Sequence, residues 1–215
     1  MSIGIAYTLE DRVLLMTDTR RVGDLNKKDK QIDDDAEKIH SISHQTAAVG
    51  VGIEQGVKIA LATLRAAIDE NSSIDRISNA LVVSIEIGLK SLEHLVTSDI
   101  DINAPYLKVG LLIGGVAENR LFTMGLVRSV KSKNKPVVRV GKYDGLTIGM
   151  DNLKSSDKFT LKVDNILAAH KNSNNQDSQA ILTKKILKST ETTIKEAAQE
   201  NKMISDKITH TIIWK

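Results

Sequence analysis

Removal of Met1, common when a small residue follows, leaves Ser2 with both a hydroxyl and a free α-amine. A serine hydroxyl is a poor nucleophile at its ordinary pKa and needs a base beside it. An α-amine titrates at about 7.7–8.0, so part of it is neutral at cell pH and can serve as that base. Further along the chain come Asp18-Thr19-Arg20, Lys38-Ile39 and Gly50-Val51-Gly52. A lysine cation near the amine would favour its neutral form, and an aspartate would hold that lysine in place. Glycines allow backbone to come close to a substrate, where an N–H would stabilise the oxyanion of a tetrahedral intermediate. The chemistry is acyl transfer, with Ser2 as nucleophile, Lys38 and Asp18 as its electrostatic support, and Gly50 and Gly52 at the oxyanion.

Residues 3–7 and 13–17 are apolar around the polar turn at 9–12, which predicts a β-hairpin that begins at Ser2. Strands are predicted again at 38–42 and 46–51, with a polar stretch at 20–35 between the two pairs. Lys38 then lies near a strand start, a rigid place for a functional group. Helical spacing of Ile59, Leu61, Leu64, Ala67 and Ile68 predicts a helix over 55–68. Ser72 and Asp75 have the form of a capping box for a second helix, with a stripe of Ile77, Leu81, Ile85, Leu89 and Leu92 ending near Val96. Strands follow at 107–113, 121–127, 137–140 and 146–149. Residues 159–170 fit either helix or strand, 178–201 a long helix, and 208–214 a closing strand. Runs of strands alternating with runs of helices indicate an α+β fold, and no linker, repeat or low-complexity block divides residues 1–215.

The ordered set Ser2, Asp18-x-Arg20, Lys38-Ile39 and Gly52 resembles the proteasome-type N-terminal nucleophile hydrolases, and the catalytic β class rather than the α class. In that family the nucleophile, an Asp-x-Arg ending the second strand, a Lys before an aliphatic residue and a glycine before the first helix recur in this order. The α class carries an extra helix ahead of the first strand, for which no residues precede Ile3. The resemblance implies a four-layer αββα sandwich, two antiparallel sheets between helix pairs, formed by residues 1–215 as one domain. It implies an intracellular peptidase or amidase acting on a peptide or protein substrate through an acyl-enzyme on Ser2, supported by Arg20. It also implies a homo-oligomer, a ring or related assembly. The alternative within the same fold is a structural or interaction subunit without the chemistry. Glu54 would fall near the family's specificity pocket, favouring basic substrate side chains, or would simply open the helix with favourable dipole charge. The family includes the ancestral-β-subunit group and a ring protease paired with an unfolding ATPase; branch, substrate and any ATPase partner stay open.

This sequence also departs from the family pattern. Ser2 stands in place of the usual threonine and lacks the methyl that restricts side-chain rotation. Ile148-Gly149-Met150-Asp151 carries methionine where active subunits carry a serine after a glycine. Ser205 and Asp206 are the candidates for the Asp and Ser that follow the last long helix. The stretch from Asp18 to Lys38 is a few residues longer than usual.

Composition narrows the remaining classes. The chain has 215 residues, 41% of them hydrophobic, enough to bury a substantial core without disulfides. Having no cysteine, it has no cysteine nucleophile or thiolate metal site, and it is compatible with a reducing compartment. A net charge of +3 from 30 interspersed basic and 27 acidic residues, with only 3% aromatics, gives no footprint for nucleic acid. There is no signal peptide, and no apolar run approaches the roughly 20 residues of a membrane span, so a cytoplasmic protein is expected. The basic run at 131–135 reads as a solvated hairpin loop beside Pro136. His40 and His44 lack a third ligand, and Asp33-Asp34-Asp35 lacks the alternation and glycine of a calcium loop and reads as a solvated turn. No metal and no cofactor are expected.

Overall fold

The structure is a computed structural model that describes residues 3–22, 32–93, 107–129, 132, 134–149, 162–170, 179–201 and 204–215. Strands β1 (Gly4–Thr8) and β2 (Arg12–Asp18) form the opening hairpin, followed by the two-residue strands β3 (Arg21–Val22) and β4 (Ile32–Asp33). Strands β5 (Ile39–Ser43) and β6 (Thr46–Gly52) lead into helices α1 (Glu54–Ala67) and α2 (Ile74–Glu93). Strands β7 (Lys108–Ala117), β8 (Arg120–Ser129), β9 (Val137–Val140) and β10 (Gly145–Ile148) come next. Helices α3 (162–170) and α4 (Gln179–Glu200) and strand β11 (Ile208–Trp214) complete the order.

Two antiparallel sheets result, one ordered β10-β1-β2-β11 and the other β5-β6-β7-β8-β9. The period-2 alternation of each strand divides its apolar residues between two layers. Val13 and Leu15 of β2, Val49 and Val51 of β6 and Leu112 of β7 meet between the sheets. Leu14 and Met16 of β2, with Ile3, Ile5 and Tyr7, turn the other way onto Val163 and Leu167 of α3 and Leu182, Ile186 and Ile194 of α4. On the far side Leu111 and Ile113 of β7 and Phe122 and Met124 of β8 pack against α1 and α2. This is the four-layer αββα sandwich, in which β1, β2, β6, β7 and most of β8 are covered on both faces and so read as almost unbroken apolar runs, whereas the edge strand β9 is exposed.

Local chemistry explains where the boundaries fall. Helix α2 is capped by Ser73, whose Oγ accepts the N–H of Arg76 at 3.2 Å. Ser72, the residue expected as cap, instead accepts the N–H of Asp69 and donates to its carboxylate, both at 2.9 Å, closing the α1–α2 turn. All five residues of the expected α2 stripe are buried. On α1 the buried positions are Gly56, Val57, Ala60, Leu61 and Leu64, with Ile59 only half-buried. α1 crosses α2 with backbone almost touching: a Cβ on Gly88 would stand 2.5 Å from the Gly56 carbonyl oxygen. β7 does not stop at its glycines. It continues through Gly114 and Gly115 to Ala117 and turns at Glu118 and Asn119, both left-handed at φ 50° and 57°. Of the segment 159–170, the described residues 162–170 are helical.

Candidate functional site

β2 is flanked by β1 and β11, and its last residue, Asp18, pairs with Ile208. The neighbouring strands therefore bring two distant parts of the chain to the Asp18 side chain, which is fully buried. Lys38 immediately precedes β5 on the second sheet and reaches across: its Nζ donates to Asp18 Oδ2 at 2.9 Å. The same oxygen accepts the N–H of Arg20 at 3.2 Å and that of Ser205 at 3.4 Å. Oδ1 accepts the N–H of Ile3 at 2.9 Å. A buried carboxylate is costly unless its lone pairs are filled, and here four donors fill them. Lys38 is itself only 8% exposed, so the pair is held largely out of water.

Ile3, the residue joined to Ser2, is held at both its polar atoms. Besides the N–H on Asp18, its carbonyl accepts the Thr17 hydroxyl at 2.6 Å. Thr17 carried no signal in the sequence, because a threonine next to a strand's apolar run reads as an ordinary strand residue.

Gly50 and Gly52 lie near the end of β6. The Gly50 N–H reaches the Lys38 carbonyl at 3.5 Å, tying this strand to the lysine. Gly52 has φ +106°, and a Cβ there would lie 2.0 Å from the carbonyl oxygen of Lys108. The close backbone approach that demands glycine is thus made to the neighbouring strand β7. Glu54 heads α1, and its carboxylate meets Lys58 one turn later at 2.6 Å. That is the arrangement of a helix-opening acid with an i,i+4 partner.

Arg20 forks onto Asp34, Nε to Oδ1 at 2.5 Å and Nη2 to Oδ2 at 3.0 Å. The guanidinium holds the Asp34 carboxyl below the usual carboxylate range. Asp35 accepts from Lys207 Nζ at 2.9 Å. The three-aspartate turn, read in the sequence as merely solvated, is therefore bonded to the segments that carry Arg20 and Ser205. Ser205 is fully buried, its Oγ accepting the Lys207 N–H at 3.1 Å, whereas Asp206 is exposed.

Ser2 and Met150 lie outside the described residues, as do Lys131 and Lys133 of the basic run. His44 contacts Glu70 at 3.6 Å, and among the described residues no group of three or more histidines and acids is placed to hold a metal ion. None of the described helices is long and apolar enough to cross a membrane.

No protein-family model matches the chain, and no curated protein matches it either. Solved structures do. The Anbu (ancestral beta-subunit) protein from Yersinia bercovieri superposes with a TM-score of 0.66 at 10% identity, over 99% of this chain and 81% of that one. A Gly-1 mutant of Anbu from Hyphomicrobium sp. strain MC1 gives 0.61 at 10% identity, over 100% of this chain and 82% of that one. HslV from Trypanosoma brucei gives 0.52 at 11% identity, over 99% of both chains. At such identities the likeness is one of fold, and the fold is that of the proteasome-type N-terminal nucleophile hydrolases.

Proposed function

We propose that the chain is a peptidase or amidase that cleaves amide bonds through an acyl-enzyme on Ser2 after Met1 is removed. The observation that carries this reading is the Asp18 carboxylate, which grips Lys38 with one oxygen and the N–H of Ile3, next to Ser2, with the other. In the proposed cycle the Ser2 amine takes the hydroxyl proton as Oγ attacks the substrate carbonyl. It then gives that proton to the leaving nitrogen as the C–N bond breaks, leaving an ester on Ser2. Water adds to the ester, the amine takes its proton and returns it to Oγ, and the carboxylic acid departs. The Lys38 ammonium, held in place by Asp18, favours the neutral amine that the first step needs. The N–H of Gly52 is the proposed oxyanion donor, with Gly50 and Arg20 in support. Residues 1–215 would act as one unit in a cytoplasmic ring or related homo-oligomer that screens the site from folded proteins.

Met150, standing where the family has a serine, favours a second reading, a proteasome-like subunit that assembles without turnover. Intact mass of the protein from its native cells, before and after exposure to a β-lactone that acylates N-terminal nucleophiles, separates the two. Loss of Met1 with one adduct, absent in Ser2→Ala and Lys38→Ala, is the expected result. Retained Met1 and no adduct would leave the structural subunit as the surviving reading.

A further inference from the structure

We propose that Asp34 is a positioning residue for the Asp18–Lys38 pair: it fixes Thr19 and Arg20, and through them the Arg20 N–H that Asp18 accepts. The inference rests on the hydrolase reading above and names a residue that reading does not contain. Asp34 holds residues 19 and 20 at three atoms. Its carboxylate takes both arms of the Arg20 fork, and its backbone carbonyl accepts the Thr19 hydroxyl at 2.5 Å. A two-armed charge-assisted contact fixes orientation as well as distance. Two residues on, the N–H of Ala36 closes onto the Thr19 carbonyl at 3.1 Å, and Lys38 follows two residues later. The turn that carries Asp34 thus delivers Lys38 to Asp18 and pins the backbone of Arg20 against the same oxygen. On the other side Asp35 holds the side chain of Lys207, whose backbone accepts the Thr19 N–H at 3.2 Å and donates to Ser205. Donors to Asp18 Oδ2 from three separate segments are in this way tied to one aspartate turn.

Asp34 also sets a charge. Arg20 faces Asp34, Asp206 and Asp18; Asp34 faces Arg20, Lys207 and Lys38; Lys207 faces Asp35, Asp34 and Asp206. Removing the Asp34 charge takes away an anion that both Arg20 and Lys38 face, and loss of a nearby anion lowers the pKa of an ammonium.

The test uses the full chain with Met1 removed, as wild type, Asp34→Asn, Asp34→Glu and Arg20→Gln. The rate of Ser2 acylation by the β-lactone is followed against pH by intact mass, and the Lys38 ammonium is titrated by NMR. Asp34→Asn is expected to slow acylation roughly tenfold at neutral pH through lost positioning. It should also move the acid limb of the profile and the Lys38 midpoint down by a few tenths of a pH unit. Asp34→Glu should restore the midpoint, and Arg20→Gln should move it upward. General loosening of the turn would not produce opposite signs from the two halves of one ion pair. Asp34→Asn with the wild-type rate and midpoint, or the same direction of shift in both variants, overturns the proposal. A wild type that never acylates sinks the hydrolase reading instead, and the Lys38 midpoints alone then decide the role of Asp34.

Discussion

The Nζ of Lys38 lies 2.9 Å from Oδ2 of Asp18, a contact between the two sheets that solvent does not reach at the carboxylate. Each group offsets part of what burial costs the other. Asp18→Leu strands the ammonium and should cost about 3–5 kcal/mol. Adding Lys38→Met should recover part of that loss, since the remaining cost is the three backbone N–H groups left without their acceptor. Urea denaturation of the single and double variants checks this, and a double variant no more stable than Asp18→Leu contradicts it.

Gly52→Ala forces a Cβ to within 2.0 Å of the Lys108 carbonyl at a φ of +106°. The obstruction is backbone on a paired strand and cannot step aside, so the expected loss is about 2 kcal/mol or more. The Ile53 N–H bond to the same carbonyl, 2.9 Å, should fail with it. Gly50→Ala meets a Val57 methyl at 2.3 Å and should cost less. Urea midpoints of the two variants give the order.

Much of this architecture was legible in sequence. β11 falls at residues 208–214 as expected, and α1 and α4 begin and end within a residue or two of their periodic stretches. Asp18 and Lys38, expected from the sequence to lie together, are hydrogen-bonded at 2.9 Å. What was missed is non-local. Asp18 collects donors from residues 3, 20, 38 and 205, and nothing in the sequence around Ile3 or Ser205 says that β1 and β11 will bring their backbone N–H groups there. Asp34 looked like a turn residue because its partner, Arg20, lies across the long connection between Asp18 and Lys38. The turn at Glu118 and Asn119 was missed for a different reason, since neither residue is glycine.

That turn supplies a prediction of its own. Its two left-handed residues match a type I′ hairpin, which prefers Asn-Gly. Glu118→Asn relieves the worse of the two and should stabilise the fold by about 0.5 kcal/mol, and Asn119→Gly should add to it. Thermal melts of the two variants, singly and combined, should show increases in Tm that add.

Tyr7 is buried against α3 and α4, and its phenol is pushed up to about 12, first by burial and then by Asp164 and Asp144. The unfolded phenol titrates near about 10. Because the folded value is the higher one, its contribution is whole below pH ~10 and is lost as pH rises through ~12. Tyr7→Phe should therefore resist alkaline unfolding better than wild type in that window while differing little in pH dependence below it. Denaturation series at stepped pH, with tyrosinate absorbance as the titration record, would show the two curves converging or crossing. Parallel curves would refute the assignment.

Asp18 and Ser205 are 187 positions apart in the chain, yet share a hydrogen bond, and β2 completes its pairing only with β11. A ribosome that has just released the first two strands has therefore made a hairpin whose outer edge stays open until the closing strand emerges. Contacts so distant in sequence form late and slowly. During synthesis the Asp18 carboxylate waits with part of its donor shell missing, and the proposed nucleophile acquires its full support only as one of the last acts of folding.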